Sequence, residues 1–261
     1  MKQAVVLPRL KLRRRAKFIY NTQLDSRIWC SDGQMNKLVS NALQLIAWNY
    51  IRYLQHIGFP LPDNMIRDIF IHGSTSNYYY DDTSDIDICI VADLSDMREK
   101  FDGIDIYVLL KSALGAWLRN YCIKVCGRGV DIEVADAGHP RYAENVYKVG
   151  SAYSLAQDKW IRRPQLLKDS EVRAIRRAAR VKYHEIRRMY RKICHDKMAS
   201  DFIETFLERL THERKKSYAD NFMQPVTAET MAFRMARRCG MLRDLRNRAM
   251  KQRSRDFNLS V

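Results

Sequence analysis

Two carboxylates and a Gly-Ser pair are spaced for phosphoryl chemistry. Asp85-Ile86-Asp87 opens an apolar run, Ile88-Cys89-Ile90-Val91, whose β-branched content reads as a strand. Residues two apart on a strand share a face, so Asp85 and Asp87 project side by side with Cα atoms roughly 6.5–7 Å apart, Ile86 and Ile88 facing the other way. That pair suits two oxygen-ligated Mg²⁺ ions held roughly 3.5–4 Å apart, as in in-line phosphoryl transfer. Upstream, a strand over 66–72 is expected to end at Gly73-Ser74 and lead into a short helix. Free backbone N–H groups and the dipole at such a helix start attract phosphate. Gly73 allows close backbone approach, and the Ser74 hydroxyl can donate to a phosphate oxygen.

A strand, Gly-Ser, a helix and then Asp-x-Asp on the next strand resembles the DNA polymerase β nucleotidyltransferase superfamily. Ile28-Trp29, Gly73-Ser74 with Tyr78-Tyr79-Tyr80, and Ser84-Asp85-Ile86-Asp87 look like one subgroup of it. So do Tyr153-Ser154-Leu155 with Asp158-Lys159-Trp160-Ile161, Phe233 with Arg237-Arg238, and Gly240-Met241-Leu242. That subgroup is the uncharacterised nucleotidyltransferase-like proteins common in large tailed bacteriophages, and the resemblance covers roughly residues 24–261. It implies an α+β fold: a nucleotidyltransferase core, a small mixed β-sheet flanked by helices, with a C-terminal helical domain and the site in the cleft between them. It also implies a third carboxylate on a later, adjacent strand. Val130-Asp131-Ile132-Glu133-Val134 offers Asp131 and Glu133 on one face, and spacing alone does not choose between them. Similar proteins carry an acid at the first of these positions and an aromatic at the second, which favours Asp131 and makes Glu133 a departure from the pattern.

The resemblance further implies that Tyr153 and Ser154 contact the base or triphosphate. Lys159 and Arg162 are candidates for phosphate oxygens. The expected reaction takes an NTP as substrate and two Mg²⁺ ions, with Mn²⁺ as the alternative metal. Asp85, Asp87 and Asp131 serve as ligands and catalytic groups, and Gly73 and Ser74 grip the β- and γ-phosphates. The acceptor is not implied. RNA is favoured, a tRNA 3′ end among the choices; a protein side chain, a small molecule or a second nucleotide stay open. The competing readings are solvated carboxylates on an exposed strand, and a nucleic-acid-binding protein that kept the fold and lost turnover.

Composition bounds the rest. The 261 residues carry 46 basic against 30 acidic side chains, a net charge of +16, which suits a polyanionic partner or a merely basic surface. There is no signal-peptide segment and no 18-residue apolar run, so no membrane partner is expected. Six cysteines without a Cys-x-x-Cys pair read as reduced, mostly buried thiols, consistent with a cytoplasmic compartment, the host's if the chain is phage-encoded. Asp81, Asp82, Asp93, Asp96, Asp102 and Asp105 read as solvated, and at most one or two of Tyr78, Tyr79 and Tyr80 can stack a base.

Three segments are expected: a basic arm over 1–23, the catalytic domain over 24–168 and a basic helical domain over 169–261. Within the second, the pattern predicts a helix over 33–55 capped by Ser31 or Asp32, and another over 104–120. The first of these carries a stripe of Met35, Leu38, Val39, Ala42, Leu45, Ile46 and Tyr53, broadened by Leu43, Trp48, Tyr50, Ile51 and Leu54. A hairpin of 121–126 and 129–135 follows around Gly127, then irregular chain over 138–168. From Ser170 an apolar stripe (Val172, Ile175, Ala179, Tyr183, Ile186, Tyr190, Ile193) is flanked by Arg173, Arg176, Arg177, Arg180, Lys182, Arg187, Arg188, Arg191 and Lys192. Helices over about 199–214, from Thr227 to Gly240, and over 242–250 complete the expectation.

Overall fold

The computed structural model describes residues 16–121, 123–138, 150–220 and 226–257. Most of the expected basic arm, Cys122 and much of the 138–168 stretch therefore lie outside the described residues. The chain forms two compact units, Ile19–Leu166 and Leu167–Val261, with residues 16–18 grouped with the second.

The first unit is an α+β assembly on a six-stranded mixed sheet. Its strands are β1 (Ile66–His72), β2 (Ile86–Ala92), β3 (Lys124–Val125), β4 (Arg128–Asp136), β5 (Ala152–Ser154) and β6 (Lys159–Arg162), in spatial order β3-β4-β2-β1-β5-β6. β1 runs antiparallel to β2 and β5, β2 parallel to β4, and the β3–β4 and β5–β6 pairs are antiparallel. The parallel step needs a long crossover, supplied by helices α2 (Ser95–Lys100) and α3 (Ile106–Asn120). Asp105 caps α3, its carboxylate accepting from the Tyr107 and Val108 N–H groups at 2.9 and 3.3 Å.

Strict alternation divides the sheet. Ile69, Ile71, Ile86, Ile88, Ile90, Val130, Ile132, Val134 and Tyr153 join one core with α1 (Lys37–His56) and α3. Phe70, Cys89, Val91 and Ala152 form a smaller cluster on the opposite face. The predicted β3–β4 hairpin is present, turning at Cys126 and Gly127 with φ of 51° and 76°.

Three expectations are corrected here. α1 starts at Lys37, not 33, because Asn36 supplies the cap, accepting from the Leu38 N–H at 3.0 Å; Asp32 instead closes a turn onto Gln34. Its buried stripe is Val39, Leu43, Ala47, Tyr50, Ile51 and Leu54, leaving Leu38 and Leu45 exposed. So many apolar residues in one helix fit more than one phase. Finally, the chain over 150–162 is not irregular: β5 and β6 extend the sheet, and Trp160 stacks on Trp29 at 4.4 Å.

The second unit is helical: α4 (Asp169–Asp196), α5 (Ser200–Asp220), α6 (Ala228–Arg238) and α7 (Met241–Phe257). α4 buries Val172, Ala179, Tyr183, Ile186, Tyr190 and Ile193. The Thr227 hydroxyl caps α6, accepting from the Thr230 N–H at 3.2 Å. The Tyr190 hydroxyl donates to Asp244 on α7 at 2.8 Å. α7 runs to Phe257, well past the expected end near 250. Among the described residues no helix is long and apolar enough to cross a membrane.

Candidate active site

The site is built by register. β2 and β4 align Asp87 with Asp131 and Cys89 with Glu133, while β1 sets His72 against Asp87 and Phe70 against Cys89. Side chains two apart share a face, so Asp87, Asp131, Glu133, His72 and Asp68 all stand on the face opposite the main core. Asp85 sits just before β2, exposed, and its Oδ1 lies 3.0 Å from where a Cβ on Gly129 would stand. Gly73 follows β1 directly with φ of +80°, and an added Cβ there would meet the Asp87 Oδ2 at 2.0 Å. Glycine is required at 73 on both counts: a side chain would be strained, and the carboxylate occupies its place.

The electrostatics are those of crowded acids. Burial pushes the Asp87 carboxyl up to about 6; His72 offsets part of this, while Asp131, Asp85 and Glu133 add to it. Burial likewise raises Asp131, against a backbone hydrogen bond from Ile132, with Glu133 and Asp85 adding to the rise. Glu133 goes the other way, held below its ordinary value by His72. Its Oε1 lies 3.0 Å from His72 Nε2 but out of line with the ring, so neither buried ring nitrogen of this half-buried histidine has an aligned hydrogen-bond partner among the described residues. Among the described residues no three His, Cys, Asp or Glu side chains converge as a finished metal cage. The donor set nevertheless fits a hard divalent cation: carboxylate oxygens from three chain positions on one face, whose mutual repulsion a bound cation offsets.

The Gly-Ser segment departs from expectation. No helix follows Gly73; residues 73–85 form successive turns. The segment is held from within and from outside. The Asn77 N–H donates to Ser74 O at 3.2 Å, the Trp29 indole N–H to Thr75 O at 2.8 Å, and Asn21 Nδ2 to the Tyr78 and Tyr80 carbonyls at 3.1 and 2.9 Å. Ser74 is buried, and its hydroxyl makes no hydrogen bond among the described residues. Asp81 is buried, not solvated, accepting from the Thr83 N–H and hydroxyl at 2.8 and 2.6 Å.

A buried arginine fastens this segment to the sheet. Arg128, at the start of β4, donates through Nε and Nη2 to Asp25 Oδ2 at 2.7 and 2.5 Å. Its Nη1 donates to the carbonyls of Asp81 and Ser84 at 2.6 and 2.7 Å. Arg27 completes the carboxylate's partners through Nε at 3.0 Å. Burial pushes Asp25 up, but hydrogen bonds from Arg27 and Arg128 outweigh it and leave the carboxyl below its ordinary value.

The structure thus brings together Asp85, Asp87, Asp131, Glu133, Gly73 and Ser74. Ser154 and Lys159, paired across β5 and β6, share their sheet face, where the Ser154 hydroxyl donates to Asp68 at 2.7 Å. Tyr153 is not brought to them. It is fully buried on the core face, its ring edge-on to Trp29 and Trp160 and its hydroxyl donating to Asp158 at 2.9 Å, with Gln34 Oε1 also at 3.1 Å. Sequence reasoning missed His72, Asp68, Asp25 and Arg128. The period-two row Asp68, Phe70, His72 was a usable signal for the first two. Asp25 and Arg128 are 103 positions apart and give none. The five described cysteines are free, yet only Cys89 and Cys239 are fully buried, while Cys30 and Cys126 are exposed. Compared with protein-family models, curated proteins and solved structures, the chain matches none.

Proposed function

We propose that this α+β unit is a divalent-cation-dependent nucleotidyltransferase. It moves a nucleotidyl group from an NTP to an acceptor hydroxyl or phosphate and releases pyrophosphate. The observation that supports this reading is the alignment of Asp87 with Asp131 across a parallel strand pair, with Asp85 beside them and Gly73 packed on Asp87.

Asp85, Asp87 and Asp131 would hold Mg²⁺ or Mn²⁺, which when bound supplies charge neutralisation at the phosphoryl group and a lowered pKa at the acceptor hydroxyl. The chain's own residues do the rest. Asp131 accepts the proton as the acceptor oxygen bonds to the α-phosphorus and the bond to the pyrophosphate oxygen breaks. The Ser74 hydroxyl, uncommitted among the described residues, donates to the terminal phosphates. Lys159, on the same sheet face, balances their charge. Catalysis is then mostly positioning and electrostatics. RNA is the favoured acceptor, on the net charge of +16.

The test is pyrophosphate release from each NTP with Mg²⁺, with and without total cellular RNA, beside the Asp85→Ala/Asp87→Ala variant. Release that depends on these aspartates establishes the transferase, and its dependence on RNA identifies the acceptor. Folded protein that releases none with any NTP or acceptor class, yet binds RNA, is instead a binder that has lost turnover.

A further inference from the structure

The longest helix of the second unit carries more positive charge than its fold requires. α4 spans 28 residues and sinks one stripe into the helical core. Beside that stripe, Arg173, Arg176, Arg177, Arg180, Arg187, Arg188 and Arg191 fall within an arc of about 120° at 3.6 residues per turn. All are exposed except the half-buried Arg187. They cover about 27 Å of helix axis, about three arginines for every two turns. Between positions 173 and 191 no acid falls in this arc; Glu185, the one acid in that stretch, points to the side. Among the described residues none of the seven has a carboxylate partner, whereas Lys182, off the arc, is paired with Glu229 at 2.9 Å. Arg176 lies over the Phe18 ring at 5.2 Å. Seven like charges held in one row repel one another, and such a row is relieved by an equally regular row of anions.

We propose that this arginine face is a docking surface for the phosphate backbone of a double-helical nucleic acid. The residue type favours phosphate, since a guanidinium forks onto its oxygens. A membrane surface fits poorly: the helix's apolar stripe is already buried, and Val181 is the one large apolar side chain it exposes. A single strand fits less well than a duplex, because the arc offers no aromatic platform for unpaired bases, His184 being its only ring. Nor does it carry an Asn or Gln to read a base edge, so recognition is through the backbone and independent of sequence. The proposal stands whether or not the first unit is a transferase.

The experiment is an anisotropy titration of the full chain with a labelled 24-base-pair RNA duplex across a KCl series. The face variant is Arg173→Gln/Arg177→Gln/Arg180→Gln/Arg191→Gln. Its control, Lys111→Gln/Arg119→Gln/Lys215→Gln/Lys216→Gln, removes the same charge from exposed positions elsewhere. The face variant should bind at least thirtyfold more weakly near 100 mM salt. Its log–log salt slope should fall by about 3, roughly 0.7–0.9 for each phosphate that is no longer neutralised. The control should change less than threefold, and permuting the duplex sequence should change nothing. Equal losses in both variants, no loss in the face variant, or displacement of the duplex by phosphatidylserine vesicles would overturn the proposal. The titrations are run without NTP or divalent ions, so a failed transferase assay leaves this result readable by itself.

Discussion

Replacing Arg128 by alanine is expected to destabilise the first unit by about 4 kcal/mol. The side chain is 1% exposed and makes four charge-assisted hydrogen bonds, two to Asp25 and one each to the Asp81 and Ser84 carbonyls. Truncation leaves a buried carboxylate with only Arg27 and strips two buried carbonyls of their donor. Breaking a buried pair from one side costs about 3–5 kcal/mol, and the orphaned carbonyls belong to the same loss. All four tryptophans, Trp29, Trp48, Trp117 and Trp160, lie within Ile19–Leu166, so urea unfolding followed by tryptophan fluorescence reports on this unit. At a slope of about 2 kcal/mol per molar, the midpoint should fall by about 2 M. Asp25→Leu/Arg128→Met should fall by clearly less, because no uncompensated charge remains. Acid adds a second signature. Asp25 titrates below its unfolded value, so its contribution is present above about pH 4 and is lost as pH falls through the folded pKa. The deficit of Arg128→Ala should therefore shrink on acidification. A loss under about 1 kcal/mol at pH 7, or a double variant as unstable as the single one, would refute the reasoning.

Gly73→Ala should keep the circular dichroism spectrum while lowering pyrophosphate release at least a hundredfold, since its Cβ claims the position of the Asp87 carboxylate; unchanged turnover would remove Gly73 from the site. Asp87 titrates near 6, above its unfolded value, so its stabilising contribution is full below about pH 4 and lost as pH rises through 6. Without divalent ions, Asp87→Asn should then be more stable than the parent at pH 7.5, on the order of 2 kcal/mol, in chemical denaturation, and no more stable at pH 4. Asp131→Asn should reduce turnover at least a hundredfold and Glu133→Gln less than tenfold; the reverse ranking would make Glu133 the third carboxylate.

The sheet was legible where side chains alternate with the pleat. β1, β2 and the β3–β4 hairpin follow from β-branched runs, and the two acids on each of β2 and β4 can be seen to share a face without knowing what the face looks at. The start of α1 was less legible because Ser31, Asp32 and Asn36 are all competent caps, and tertiary packing chooses among them. β5 and β6 are three and four residues long, too short for periodicity to register. The segment after Gly73 looked helical by analogy. It is instead held as turns by Asn21, Trp29 and Arg128, partners distant in the chain that no local pattern can announce. For the same reason Asp81 looked solvated and Asp25 looked ordinary.

The Arg128 clamp has one more consequence. Around the paired acids, β2 reads Ile86-Asp87-Ile88 and β4 reads Val130-Asp131-Ile132-Glu133-Val134. Sliding one strand by two residues would set Asp87 against Glu133 and Ile88 against Val134, keeping these isoleucines and valines inward and these three acids outward. Hydrophobic patterning penalises a slip of one residue, which inverts the faces, but is nearly blind to a slip of two. Arg128 is not blind to it. It stands three positions before Asp131, and its guanidinium grips the carbonyl of Ser84, the residue before Asp85. A two-residue slide would carry that buried charge along the strand, away from Asp25 and both carbonyls. One arginine, outside the reacting groups, thereby decides which of two chemically similar acids stands beside Asp87.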